Sequence, residues 1–329
     1  MKRTKGSGSG RSGRRSAELG ARGVVRLEDM RWLAGEPPPE RAAAVLERAS
    51  KLRIHAPDHF KGRKGYDPRF IAGLPVPLPR NVGRKGDEAP VAGGGHVLRY
   101  TNFSTVMSKS RRIPLYTACN MDGRQTKKVK RAGVDVWFLD GRVALEHQVG
   151  EDLYTDNILD RGHLVRREDP VWGPDAELAN DDTFHFTNCA PQAGAMNQRT
   201  WLGLEDYILG NTRVHQLRVN VFTGPVLRDS DRRYRGVLIP REFWKIVVVR
   251  TPERPSATAY VVSQAKELTD LEFAFGRYKT YQVAIKEIEQ LTGLDFGKLS
   301  RYDGFSNAGA LESARLPRVE LDDWRRIRI

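Results

Sequence analysis

From Tyr100 onward the chain is a succession of short apolar runs of strand length, separated by turn-forming residues. The runs fall at Tyr100–Met107, Ile113–Asn120, Val134–Leu139, Val219–Thr223, Gly236–Ile239, Trp244–Arg250 and Ala257–Gln264. They are rich in Val, Ile, Thr and aromatic residues, which suit a pleated, packed surface. Two helical patterns, Gln198–Leu209 and Thr280–Thr292, are set among them. In the second, Tyr281, Ile285, Ile288 and Leu291 recur at helical spacing. Strands dominate and helices are inserted, so the pattern predicts an α+β fold with a mostly antiparallel central sheet. No internal repeat is visible.

The first hundred residues read differently. Residues 1–23 hold seven Lys/Arg against one acid, Glu18, with Gly and Ser filling most of the rest. Such a segment buries too little apolar surface to offset its ordering entropy, so it is expected to be a disordered basic tail. Its Gly-Ser-Gly-Ser-Gly run follows no strand and is linker composition rather than a dinucleotide fingerprint. Residues 24–99 read as an N-terminal extension. It has short helical patterns at Leu27–Leu33 and Arg41–Leu52, then a Pro/Gly-rich stretch from Lys61 to Gly95 that packs on a domain surface. The remaining units are a domain at 100–299 and a C-terminal extension at 300–329.

Charge narrows the function classes. The chain has 55 Lys+Arg against 41 Asp+Glu, and removing the tail still leaves a basic excess. That balance favours polyanionic partners. No eighteen-residue apolar stretch occurs, so no membrane span is expected. No apolar run follows the N-terminal charges either, so the sequence gives no secretory signal and a cytoplasmic location is the default expectation. Cys119 and Cys189 exclude a disulfide-rich scaffold and read as reduced thiols.

The chemistry concentrates in three segments. The first is Leu159-Asp160-Arg161-Gly162-His163-Leu164. The second is Asn188-Cys189-Ala190-Pro191-Gln192. The third is Asn197-Gln198 followed by Trp201-Leu202-Gly203-Leu204-Glu205. Together, in this order, they resemble the DNA/RNA non-specific endonucleases of the ββα-metal superfamily, which include secreted bacterial nucleases and endonuclease G. Thr223-Gly224-Pro225, Ile239-Pro240, Phe243-Trp244-Lys245, Glu287-Ile288-Glu289 and Thr292-Gly293-Leu294 extend the resemblance over roughly Tyr100 to Leu299. It implies a ββα-metal core and a metal-dependent endonuclease with little sequence specificity. The bond broken would be that between phosphorus and the 3′ oxygen.

Phosphodiester hydrolysis needs an activated water, charge neutralisation at the phosphate and help for the leaving oxygen. A neutral imidazole accepts a proton near pH 7, so His163 is the expected general base. The other six histidines, His55, His59, His96, His147, His185 and His215, are read as ordinary hydrogen-bonded side chains. A zinc site at Cys189 and His185 would lack two further ligands. The resemblance implies a single Mg²⁺, with Mn²⁺ as its substitute, held by the Asn197 carbonyl. Glu205 lies eight residues later, about 12 Å along a straight helix, which makes a shared inner shell awkward. The family role for Glu205 is to hold a metal-bound water. Arg161 sits beside the base and can pair with phosphate oxygens. Arg131 resembles the family arginine that stabilises the transition-state phosphate. Arg166 and Arg167 join these two as expected nucleic-acid contacts. Asn188 is expected to organise the site by hydrogen bonds, and Asp160 to shape the turn that presents His163. Trp201, Leu204 and Ile208 share one helix face and read as core.

DNA and RNA are the expected partners, and an inhibitor protein is a further candidate. Two other functions fit the same motifs: a nucleic-acid-binding protein on a nuclease scaffold without catalysis, and a toxin or defence effector restrained by a partner. The sequence leaves the oligomeric state open.

Overall fold

The computed structural model describes residues 52–131, 133, 135–156, 159–193, 202–264, 279–304 and 319–320. The basic tail, the helical pattern at Leu27–Leu33, most of that at Arg41–Leu52, and Asn197, Gln198 and Trp201 lie outside them.

Three short strands come first: β1 (Ile54–His55), β2 (Arg80–Asn81) and β3 (Val97–Arg99). β4 (Phe103–Met107) and β5 (Pro114–Asp122) follow, then β6 (Leu139–Asp140). The motif segments form β7 (Leu159–His163) and β8 (Cys189–Ala193). Next are β9 (Arg218–Val226), β10 (Arg232–Tyr234), β11 (Val237–Ile239), β12 (Glu242–Arg250) and β13 (Pro255–Ser263). β14 (Lys279–Val283), β15 (Leu294–Asp295) and β16 (Val319–Glu320) complete the strands. The α-helices are α1 (Ala176–Asp182), α2 (Leu202–Val214) and α3 (Ile285–Thr292).

Eight strands build the central sheet in the order β16-β14-β13-β12-β9-β5-β4-β3, every neighbouring pair antiparallel. The α+β architecture with an antiparallel sheet is therefore present. Both faces of this sheet are covered. Trp244, Ile246 and Val248 of β12 join a core with Phe222, Ala259, Val261 and α3's Ile285 and Ile288. Phe243 joins the opposite core with Val219, Val221, Val262 and α2's Leu204 and Ile208. Leu204 and Ile208 are thus core residues, and Trp201 lies outside the described ones.

Two expected elements differ. The helical pattern at Thr280–Thr292 begins as strand β14, and the helix starts only at Ile285. Tyr281 and Thr280 pair with Val261 and Val262, so sheet pairing overrides the helical spacing of Tyr281 with Ile285. Ala284 then takes extended backbone as the helix cap, and Gly293, at φ +68°, closes the helix in the left-handed region. The run at Val134–Leu139 contributes only Leu139 to a strand, while Val134 lies outside the described residues. Its backbone bonds scatter: the Phe138 N–H donates to Phe184 and the Leu139 N–H to Arg53.

The segment before residue 100 is tied into the same body. β1 pairs in parallel with β6, β2 pairs with β15, and β3 forms one edge of the central sheet. Phe70, Ile71, Leu74 and Val76 are buried in the core. Both cysteines are buried free thiols. Among the described residues no helix is long and apolar enough to cross a membrane.

Candidate active site

β7 and β8 form a two-stranded antiparallel ribbon of their own. Its register sets Asp160 opposite Gln192, Gly162 opposite Ala190 and His163 opposite Cys189. Alternation puts Leu159, Arg161 and His163 on one face of β7. Gly162 is required by close approach, because a Cβ there would lie 2.1 Å from the Gln192 side chain. Gly162→Ala should therefore displace Gln192 or the ribbon and cost about 1–3 kcal/mol, read by denaturant unfolding. A variant as stable as the parent would show that the ribbon yields freely.

Asn188 fixes the turn out of β7. It is fully buried. Its Oδ1 accepts from the Val165 N–H at 3.0 Å, and its Nδ2 donates to the carbonyls of Val165 at 2.9 Å and Thr183 at 3.0 Å. The Leu164 N–H donates to the Asn188 carbonyl at 2.9 Å. Each polar group of this amide is thereby used to hold the backbone that follows His163.

His163 projects between two aromatic rings. Its centroid lies 4.6 Å from that of Trp137 and 5.3 Å from that of Phe184. The ring is half-buried, but Nε2 is fully enclosed and has no hydrogen-bond partner among the described residues. Burial lowers its pKa to about 4; Asp135 opposes the shift, and Arg131, Arg167 and Arg166 add to it. The imidazole is thus neutral well below pH 7. If His163 is the base, activity should hold as pH falls through 6 and decline only near 4–5. A pH–rate profile falling with a midpoint near the ordinary histidine value of about 6.5 would contradict the enclosed setting. The stability sign is separate. A depressed histidine contributes stability that is complete above the unfolded pKa of about 6.5 and lost as pH falls towards 4.

The arginines divide into groups. Arg131, two-thirds exposed, pairs with Asp135, its Nε donating at 2.9 Å. Arg167 donates to the Val129 carbonyl at 3.1 Å and to Asn180 Oδ1 at 3.0 Å. Arg166 reaches Asp206 at 2.7 Å and also feels Asp169 and Glu205, so it stands electrostatically between His163 and helix α2. Arg161 turns elsewhere: it pairs with Glu151, its Nε at 3.1 Å, and lies over the Tyr154 ring. Asp160 sits on β7 opposite Gln192.

Glu205, in the first turn of α2, is buried, and Lys245 Nζ donates to its Oε1 at 3.2 Å. Asp169 adjoins this pair. Burial pushes its pKa up to about 7; Lys245 opposes, Glu205 adds and Arg166 opposes. Asn197 lies outside the described residues, so its position relative to Glu205 is not part of this geometry.

A cleft of about 740 Å³ runs past this region. Lys128, Lys130, Arg131, Asp135, Arg167 and Phe184 line it, and its wall continues to His55 and His59. Arg131, Asp135 and Arg167 are also the charges that act on His163. His55 and His59, on the cleft wall, and the buried His185 bring ring nitrogens within 4.8 Å of one another.

Comparison with known proteins now decides the family. The family model described as DNA/RNA non-specific endonuclease matches residues 84–302, more than half of the chain. The chain belongs to this family. A protein of Sinorhizobium fredii, y4fB, described as uncharacterized, is 38% identical over 310 residues, covering 85% of this chain and 46% of that protein. Human mitochondrial endonuclease G is 30% identical over 172 residues, 48% of this chain and 54% of the relative. The chain therefore spans about half the length of these relatives. In fold it is similar to the crystal structure of the EndoG/EndoGI complex, with a TM-score of 0.50 and 22% identity, covering 61% of this chain and 85% of that one.

As a member of the DNA/RNA non-specific endonuclease family, the chain carries features its contiguous motifs do not announce. Asp169 and Lys245 enter the neighbourhood of Glu205 only through packing, and no local pattern marks them. The three-histidine group departs from the expectation of six ordinary histidines. His55 and His59 stand four apart, a spacing that could have flagged a ligand pair, but His185 joins them from 130 residues away.

Proposed function

We propose that this chain hydrolyses phosphodiester bonds of DNA and RNA with little sequence preference, His163 acting as general base. The observation that carries the reading is the imidazole itself: neutral, held between Trp137 and Phe184, beside a cleft whose wall carries Lys128, Lys130, Arg131 and Arg167 together with Asp135, Glu177 and Asp181. Family membership supports the same chemistry.

In this mechanism the neutral imidazole of His163 takes a proton from the attacking water. Trp137 and Phe184 hold the ring, and Asn188 holds the backbone behind it. Arg131, Arg166 and Arg167 meet the phosphate. Arg161 joins them by exchanging Glu151 for a phosphate oxygen, an exchange that costs little because the pair is exposed. Asp160 fixes the start of the motif on the ribbon. A hard divalent cation, Mg²⁺ or Mn²⁺, when bound, neutralises phosphate charge and stabilises the departing 3′ oxygen. Asn197 would hold it directly and Glu205 through a water. The donor chemistry suits such an ion. Glu205 and Asp169 are two buried carboxyl groups close enough for the charge of one to raise the pKa of the other. Phosphate contacts carry no sequence information, which suits contacts made through Lys and Arg side chains. An inhibitor protein is the partner class this reading adds, since EndoG is inhibited in complex with EndoGI.

The test is direct. Purified protein should degrade both plasmid and RNA with Mg²⁺ and neither with chelator. Binding without cleavage under any divalent ion would replace this reading with that of a non-catalytic scaffold.

A further inference from the structure

We propose that His55, His59 and His185 form a transition-metal site, selective for Zn²⁺ over Mg²⁺, that staples the segment around residues 54–60 to the nuclease core. The three rings come from two distant parts of the chain. His55 lies on β1, His59 on the 3₁₀ turn Pro57–Phe60, and His185 just before the 3₁₀ turn Phe186–Asn188. Their candidate ligand atoms all lie within 4.8 Å of one another.

The hydrogen bonds set up the donor atoms. His185 is buried, and its Nδ1 lies 2.9 Å from the Asp182 carbonyl, which can only accept. Nδ1 therefore carries the ring proton and Nε2 presents a lone pair. Zinc-bound imidazoles are commonly oriented in this way, the remote N–H donating to a backbone carbonyl. His55 Nδ1 lies 2.9 Å from that same Nε2. Without metal, His55 donates across this gap. With metal, the His55 proton moves to its other nitrogen and both lone pairs converge on the ion. Two nitrogens on a tetrahedral Zn²⁺, each about 2.0–2.1 Å from it, sit about 3.3 Å apart, so the rings need separate only slightly.

The His55 ring is fixed for this role. It stacks on Phe138 at 3.9 Å and face to face on His59 at 3.8 Å; because imidazole lone pairs lie in the ring plane, the exposed His59 ring must turn out of this stack to share an ion with His55. His59 is exposed and lines the cleft with His55, which leaves a fourth position open to water. Three imidazoles are borderline donors that suit Zn²⁺, whereas Mg²⁺ prefers oxygen and keeps its water. The group uses none of the residues proposed for phosphodiester hydrolysis, so the two readings stand or fall separately.

The experiment is a Zn²⁺ titration of the full chain, stripped with chelator and held in excess Mg²⁺, with competition by a zinc-binding dye. About one equivalent should bind, and Zn²⁺ should raise the melting temperature. His59→Ala alters an exposed side chain and should fold. His59→Ala and His55→Gln should each weaken Zn²⁺ binding by at least about tenfold, since even loss of an outer partner commonly costs that much. Asn197→Ala should bind Zn²⁺ like the parent. Unchanged affinity in His59→Ala and His55→Gln, no tight equivalent in the parent, or loss of the equivalent in Asn197→Ala would each overturn the site.

Discussion

His163→Ala is expected to lower turnover by at least about 100-fold at neutral pH, the lower range for removal of a general base. Folding and nucleic-acid affinity should persist. The ring packs on Trp137 and Phe184 at the end of a two-stranded ribbon, and its Nε2 makes no hydrogen bond whose loss would strand a buried partner. The arginines proposed to meet phosphate would do so independently of the imidazole. Single-turnover cleavage of a labelled duplex, with binding measured in parallel, separates the two effects. A variant that retains most of the parent's rate would remove His163 from the chemistry.

The largest stability effect is expected at Lys245. Its ammonium and the Glu205 carboxylate are almost wholly buried at 3.2 Å, where β12 packs against α2. Phe243, Tyr260 and Leu204 belong to the core on this side of the sheet. Removing one partner of such a pair leaves the other charge without compensation, at a cost of about 3–5 kcal/mol. Lys245→Met should therefore destabilise by that amount in denaturant unfolding. The double variant Lys245→Met, Glu205→Leu should recover much of the stability while remaining inactive. A loss below about 1 kcal/mol for Lys245→Met alone would mean that Glu205 is compensated by other groups. Arg166 is the nearest such candidate, since its charge already acts on Glu205.

The family and the antiparallel sheet were legible because both are written in contiguous residues. Asp160–His163 and Asn188–Gln192 are short motifs, and the strand runs stand between turn formers. Simple polar–apolar alternation was no guide to the two faces. The sheet is buried on both sides, so Trp244 and Ile246 face one core while Phe243 and Lys245 face the other. A lysine in such a run reads as a solvated position, and only packing against α2 reveals its partner. Asp169 is hidden for the same reason, its perturbation coming from burial and from groups up to 76 residues away. At β14, the aromatic Tyr281 fitted both a helix face and a sheet, and pairing with Val261 decided between them. The three histidines are the extreme case, because the contact that unites them spans 130 residues.

The parallel pairing of Ile54 with Leu139 has a consequence in time. Synthesis proceeds from the N-terminus, and about 85 residues separate the two partners. At roughly 5–20 residues per second, the first strand waits about 4–17 s before its neighbour exists. During that interval His55 and His59, one wall of the cleft, have nothing to close against, and β3, β4 and β5 can pair before the opposite wall, at Lys128 to Phe184, exists. The cleft therefore cannot form until Phe184 has been made, and a nascent chain that stops before that residue has none, although β9 and the strands beyond it are still to come.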